Sequence, residues 1–200
     1  MDMSLQFKSV VKEVFPKAAI IADRFHIYRL VEWAMERVRK AEQHYLAGVS
    51  RMFKANKRIL QKPFEKLTEN EFIKLQAMLR YSENLRHAYA LKHAFTKVIK
   101  FWYLPDINWS LDAWLDLVWE SNLTEFKSIL RSFNWWRDEI VNALQYKYSN
   151  GFTEGCNNKI KVLKRLSYGL KNFDRFRNRI LLINVKGGHS ANRNVLPRCA

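Results

Sequence analysis

Apolar side chains at Ile27, Leu30, Val31, Ala34, Met35, Val38 and Ala41 hold an unbroken 3.6-residue period. That run fixes a long amphipathic helix, which must bury its stripe against other elements. From about Gly48 to Ser149 only further helical patterns follow. Thr68-Glu69-Asn70-Glu71 reads as a capping box, Ser82 and Ser110 as further caps, and Leu104-Pro105-Asp106 as a break between two helical stretches. With 48% hydrophobic residues and only 6 Gly and 4 Pro in 200, the chain forms a core and is not a disordered basic tail. Trp102, Trp109, Trp114, Trp119, Trp135 and Trp136 all fall in this helical region, where they are expected to staple a bundle rather than stack on bases.

The two ends read differently. Leu5, Val10, Val11, Val14 and Phe15 recur at helical spacing after Ser4, the expected cap, and Pro16 stops them. The apolar run 18–22 is too short for a helix and predicts one buried strand. It feeds the long helix through Asp23-Arg24-Phe25-His26. At the other end Ser149-Asn150-Gly151 marks a turn and a boundary. Two helices are expected after it, over 153–165 and 173–184, joined around Tyr168-Gly169, and then a frayed polar tail with Gly187-Gly188.

Charge narrows the partners. There are 35 Lys+Arg against 19 Asp+Glu, a formal net charge of +16 and a pI of about 10.0. Such a field favours a polyanion, because each phosphate neutralised by Lys or Arg releases condensed counterions. No apolar run approaches the ~18 residues needed to span a bilayer. Cys156 and Cys199 form no zinc spacing, and no signal-peptide pattern opens the chain, so a reducing cytoplasm is the default location.

Chemistry concentrates in two places. If Thr153 caps a helix, Glu154, Asn157, Asn158, Lys161 and Arg165 share one face at helical spacing, with Cys156, Ile160 and Leu163 opposite. Such a face can hold a divalent metal at Glu154 while amides and cations grip phosphate oxygens. The same spacing also suits a first-turn Glu complementing the helix dipole beside a solvated basic face. Between Asn157 and Arg179 the cations Lys159, Lys161, Lys164, Arg165, Lys171, Arg175, Arg177 and Arg179 are opposed only by Asp174, as a nucleic-acid surface requires. Phe173 and Phe176 are expected in the core. The second place is Asp2, set before the first helix as if at a strand's end, together with Asp23 and His26 at the end of the next strand. His26 suits a helix entry as well as it suits a site.

These residues resemble the DDE transposases of bacterial insertion sequences, of the ISL-three family. The resemblance rests on Asp2-Met3-Ser4, on Phe15-Pro16-Lys17-Ala18 leading to Ile21-Ala22-Asp23-Arg24-Phe25-His26, on the block from Asn150 to Lys161, and on Lys164-Arg165-Leu166-Ser167-Tyr168-Gly169 with Asn172-Phe173-Asp174-Arg175-Phe176-Arg177. It implies a mainly α chain that forms the C-terminal portion of a ribonuclease-H-like α/β catalytic domain, with a large all-helical insertion and its N-terminal strands missing. The implied layout is a remnant of that core over 1–30, the insertion over 31–149, the catalytic Glu helix and a basic helix over 150–184, and a flexible tail over 185–200.

The resemblance further implies DNA cleavage and strand transfer supported by two Mg2+ ions held by three carboxylates. Asp2 then stands as the second catalytic Asp and Glu154 as the Glu, both metal ligands, with Asp23 and His26 as an accessory pair. Asp23 as the second catalytic Asp is the alternative. Asn157, Asn158 and the eight cations named above would contact DNA. The expected partner is double-stranded DNA at element ends and target, with a homo-oligomer in the DNA complex and no membrane. Because the family's first Asp and its zinc-binding and helix-turn-helix region have no counterpart before Met1, the chain alone is expected to be inactive. A non-catalytic DNA-binding remnant that interferes with a full-length transposase is the competing expectation. A helical ribonuclease built on Arg86 and His93 is a distant third.

Overall fold

The computed structural model describes residues 1–100, 106–146, 148, 150–168 and 172–186, in two compact units, Met1–Tyr148 and Ser149–Ala200. Among the described residues every regular element is helical. The first unit holds α1 (Leu5–Val14), α2 (Arg24–Tyr45), α3 (Ser50–Ala55), α4 (Lys57–Gln61), α5 (Glu69–Tyr81), α6 (Glu83–Lys100), α7 (Ile107–Glu120), α8 (Thr124–Trp135) and α9 (Arg137–Gln145). The second holds α10 (Gly151–Leu166) and α11 (Phe173–Lys186).

α2 is the axis of the first unit and packs against α3, α6, α8 and α9. Its stripe of Ile27, Val31, Ala34, Met35 and Val38 is at most 2% exposed, as the period requires. Polar side chains set the register of its neighbours. Arg37 donates to the Glu125 carbonyl and to Ser128 Oγ, both at 2.8 Å, which fixes α8. Glu42 accepts from Ser82 Oγ at 2.7 Å and from Asn84 Nδ2 at 2.8 Å, which fixes the start of α6. Arg137 forks onto both oxygens of Asp112, joining α9 to α7.

The capping box at Thr68 and Glu71 forms, and Ser82 caps α6 by accepting from the Leu85 amide at 2.9 Å. Ser110 does not cap. Asp106 takes that role, accepting from the Trp109 amide at 2.9 Å, and Ser110 lies inside α7 donating back to the Asp106 carbonyl. Of the tryptophans expected as staples, Trp114 and Trp136 are buried, whereas Trp109, Trp119 and Trp135 are 69%, 68% and 50% exposed. Their positions lie off the buried stripes of α7 and α8, so the rings meet solvent. Lys127 and Arg131 cover Trp119 and Trp135 as cation–π partners. Trp102 lies outside the described residues.

The strand expected over 18–22 does not form. Residues 18–23 are irregular, and Ala22 is the buried member. A strand needs a neighbour's backbone, and here other groups satisfy the segment. Ile20 O accepts from Asn142 Nδ2 at 2.9 Å, Ile21 O from the Met1 ammonium at 2.6 Å, and the Ala22 amide donates to Glu139 O at 3.0 Å. α9 and the chain start therefore bond the backbone groups that a sheet neighbour would bond in a strand. α1 likewise leaves Leu5, Val10, Val14 and Phe15 more than half exposed.

The core centres on Trp114, whose ring lies 4.5 Å from Phe95 and 5.2 Å from Phe133 between centroids, and whose Nε1 donates to Leu91 O at 2.9 Å. Trp114→Ala is expected to cost about 3–5 kcal/mol in denaturant unfolding. Trp119→Ala, on the same helix but exposed, is expected to stay within about 0.5 kcal/mol. Equal losses would contradict this packing.

Candidate active site

The first turn of α2 carries one of the chemical clusters. Asp23 is the N-cap, its Oδ1 accepting from the Phe25 amide at 2.9 Å. His26 follows three residues on, so its ring rises over the same turn. Asp2 reaches it from the chain start, with Oδ1 2.9 Å from His26 Nε2. Backbone bonds hold that approach: the Asp23 amide donates to Met1 O at 2.8 Å, and the Ser4 amide to Asp2 O at 2.8 Å. As a result a carboxylate oxygen of Asp2, one of Asp23 and an imidazole nitrogen of His26 lie within 4.8 Å of one another. The side chains of Asp2 and His26 remain 53% and 31% exposed, so the cluster is open to a substrate.

The donor set is the kind that holds a divalent cation. Carboxylates suit Mg2+ and Mn2+, and an imidazole favours Mn2+ or a later transition metal. Asp23 has one oxygen committed to the helix cap and a second with no protein donor among the described residues. A metal held by His26 through Nε2 would take the place of that nitrogen's bond to Asp2.

Two polar anchors secure the platform. Lys8 of α1 meets Glu139 of α9 at 2.7 Å, donates to Trp135 O at 2.9 Å and lies 4.8 Å from the centre of the Trp136 ring. Glu139 is 4% exposed, so this is a buried charge matched by a cation from α1. Arg24 donates to the Ala143 carbonyl at 2.7 Å, which ties the start of α2 to α9.

The second unit presents the other cluster. α10 begins at Gly151, two residues before the expected cap, so Thr153 lies inside the helix and Asn150 is the N-cap residue. The helical spacing survives that shift. Glu154 is in the first turn, and Glu154, Asn157, Asn158, Lys159, Lys161, Lys164 and Arg165 are all exposed, while Cys156, Ile160 and Leu163 are half-buried. α11 starts with the Asn172 side chain accepting from the Arg175 amide at 3.1 Å. Arg175, Arg177 and Arg179 are exposed, and Arg179 donates to Ser167 Oγ at 3.3 Å. Among the described residues none of these cations is in an ion pair. Phe176 is half-buried, but Phe173, expected in the core, is 72% exposed, one turn too early to face α10. Lys171 lies outside the described residues.

Sequence reasoning missed a third group, Phe25, Arg29 and Trp33. They recur every four residues on α2, on the face away from the buried stripe. That period was the available signal.

A family of DDE transposases matches residues 1–180, under the description "Transposase". The chain belongs to this ISL-three transposase family. Over 182 residues, 88% of this chain and 44% of the relative, it is 21% identical to the transposase for insertion sequence element IS1001 of Bordetella parapertussis. Over 57 residues, 28% of this chain and 18% of the relative, it is 49% identical to a Lactococcus lactis subsp. lactis protein described as an ATP-dependent protease. The chain thus spans less than half the length of both curated relatives. No solved structure matches.

The double duty of Asp23 can be separated experimentally. Asp23→Ala removes the cap and is expected to cost about 1 kcal/mol. Asp23→Asn keeps an accepting oxygen and should unfold within a few tenths of a kcal/mol of the parent. A loss of full size in Asp23→Asn would show that charge, not capping, holds the helix start.

Proposed function

We propose that this chain supplies part of the catalytic centre and the DNA-gripping helices of a metal-dependent DNA strand-transfer enzyme. The observation that carries the proposal is the convergence of Asp2, Asp23 and His26 at the start of α2 in a member of a DDE transposase family. Asp2 and Glu154 serve as metal-holding carboxylates, and Asp23 with His26 orients Asp2. Bound divalent metal, Mg2+ in this reading, would lower the pKa of an attacking water or 3′-hydroxyl and stabilise the leaving oxygen. Residues 1–30 then belong to the ribonuclease-H-like core, 31–149 to its helical insertion, and 150–184 to the catalytic Glu helix and its basic successor.

The exposed cations of α10 and α11 supply duplex affinity through phosphate contacts. They have the arrangement that an electrostatic clamp needs, on solvent-facing helix surface and in no ion pair among the described residues. A DNA-binding role without catalysis rests on the same cations and needs neither Asp2 nor Glu154.

The two readings part in an active transposase carrying residues 1–180 of this chain in place of its own matched segment. Asp2→Asn and Glu154→Gln are each expected to abolish strand transfer while duplex binding persists, and Asp23→Asn to impair it less. Full activity in all three variants would reject the catalytic reading. Tolerated Asp2→Asn with an inactive Asp23→Asn would exchange the two roles.

Duplex affinity of the chain itself is expected to fall steeply with salt. Neutralising Lys161, Arg165 and Arg175 together should flatten the plot of log K against log salt by about 0.9 for each phosphate that no longer meets a cation. An unchanged slope would remove these helices as the DNA-binding surface.

A further inference from the structure

Beside the carboxylate cluster, α2 and α4 border an open groove of about 630 Å3. Phe25, Arg29 and Trp33 line its α2 side and Lys57 and Arg58 its α4 side. Phe25 is 60% and Trp33 49% exposed, on a helix whose opposite stripe is fully buried. The guanidinium of Arg29 lies 4.4 Å from the centre of the Trp33 ring and 5.8 Å from that of Phe25, so it is held between two aromatic faces. The groove also contains Glu32 and Glu36, but each is already matched: Glu32 lies 3.1 Å from Lys92, and Glu36 accepts from two nitrogens of Arg39 at 2.7 Å. Arg29, Lys57 and Arg58 are in no ion pair among the described residues, so the groove presents net positive charge.

We infer that this groove binds a single-stranded stretch of DNA, with unstacked bases on Phe25, Arg29 and Trp33 and phosphates toward Lys57 and Arg58. Exposed aromatic rings beside cations free of carboxylate partners are what single strands select, because every base has a π-face and every link a phosphate. A duplex hides its base faces in the stack and cannot use the rings. Position supports the same occupant. The Phe25 ring is 5.5 Å from that of His26, so the platform begins where the Asp2–Asp23–His26 cluster ends. A strand opened near a reacting phosphate would therefore reach the platform directly. This inference rests on the strand-transfer reading for the origin of the single strand, not for the chemistry of the groove.

The test uses the whole chain and two fluorescein-labelled probes, a short oligo(dT) and a duplex, at one fixed salt concentration. Trp33→Ala should weaken oligo(dT) binding about fivefold or more. Duplex affinity should change less than about twofold, since α10 and α11 are untouched. Trp33→Phe should restore most of the loss, which a folding defect would not allow. Arg29→Ala should weaken oligo(dT) as well.

Unchanged oligo(dT) affinity in Trp33→Ala, or an equal loss for both probes, overturns the inference. Unchanged oligo(dT) affinity with loss of self-association in sedimentation also overturns it and assigns the groove to a second copy of the chain. The two readings fail separately. Duplex binding with oligo(dT) insensitive to Trp33 rejects the groove alone. Trp33-dependent oligo(dT) binding without any duplex affinity rejects the proposed DNA clamp and leaves the groove standing.

Discussion

The apolar stripe of α2, from Ile27 to Val38, is enclosed by α6, α8 and α9, and this burial sets where Asp23, His26, Phe25, Arg29 and Trp33 sit. A helix locked along one stripe has no rotational freedom left. Its first turn must place Asp23 and His26 toward the chain start, and its outer face must offer Phe25, Arg29 and Trp33 to solvent. At about 25 cal/mol per Å2 of apolar surface removed from water, burial of such a stripe outweighs any single polar contact around it. The polar contacts select one register among the packings that the stripe permits.

That selection is visible where charge enters the core. Lys92 is 3% exposed, bonded to the Leu60 carbonyl and 3.1 Å from Glu32. Burial pushes the Lys92 ammonium below its usual range while Glu32 opposes the shift. The same burial, with the Glu32 charge, pushes the Tyr28 hydroxyl up to about 12. α2, α4 and α6 are thus cross-linked by groups that would be costly to leave unpaired, which makes the pairing specific even where it adds little stability. The groove between α2 and α4 inherits its shape from that cross-link. On the other flank Lys8 and Glu139 do the same for α1 and α9, and so hold the approach of Asp2 to His26.

Periodicity made much of this legible. The α2 stripe, the capping box at Thr68, the cap at Ser82 and the basic face of α10 are all local patterns, and each forms. Failures occur where a non-local partner decides. Residues 18–22 have a strand's composition, but α9 and the chain start satisfy their backbone groups. The tryptophans fail differently: Trp109, Trp119 and Trp135 are apolar by type, yet helical phase, itself a local pattern, turns them outward. Asp2, Asp23 and His26 are grouped in the sequence as residues at the ends of successive strands, and they do meet, but on irregular backbone at a helix start, because a meeting of side chains so far apart along the chain has no local signature.

If the start of α2 gathers Asp2, Asp23 and His26 into a site for a divalent cation, Mn2+ should find that site first. Paramagnetic broadening by Mn2+ in NMR spectra of the labelled chain reads this out directly. The His26 ring and the amides around Asp2 and Asp23 are expected to broaden at the lowest Mn2+ additions, and Asp2→Asn with Asp23→Asn to remove this preference while α2 stays folded. Broadening spread evenly over the chain's carboxylates, with no preference at His26, would contradict it.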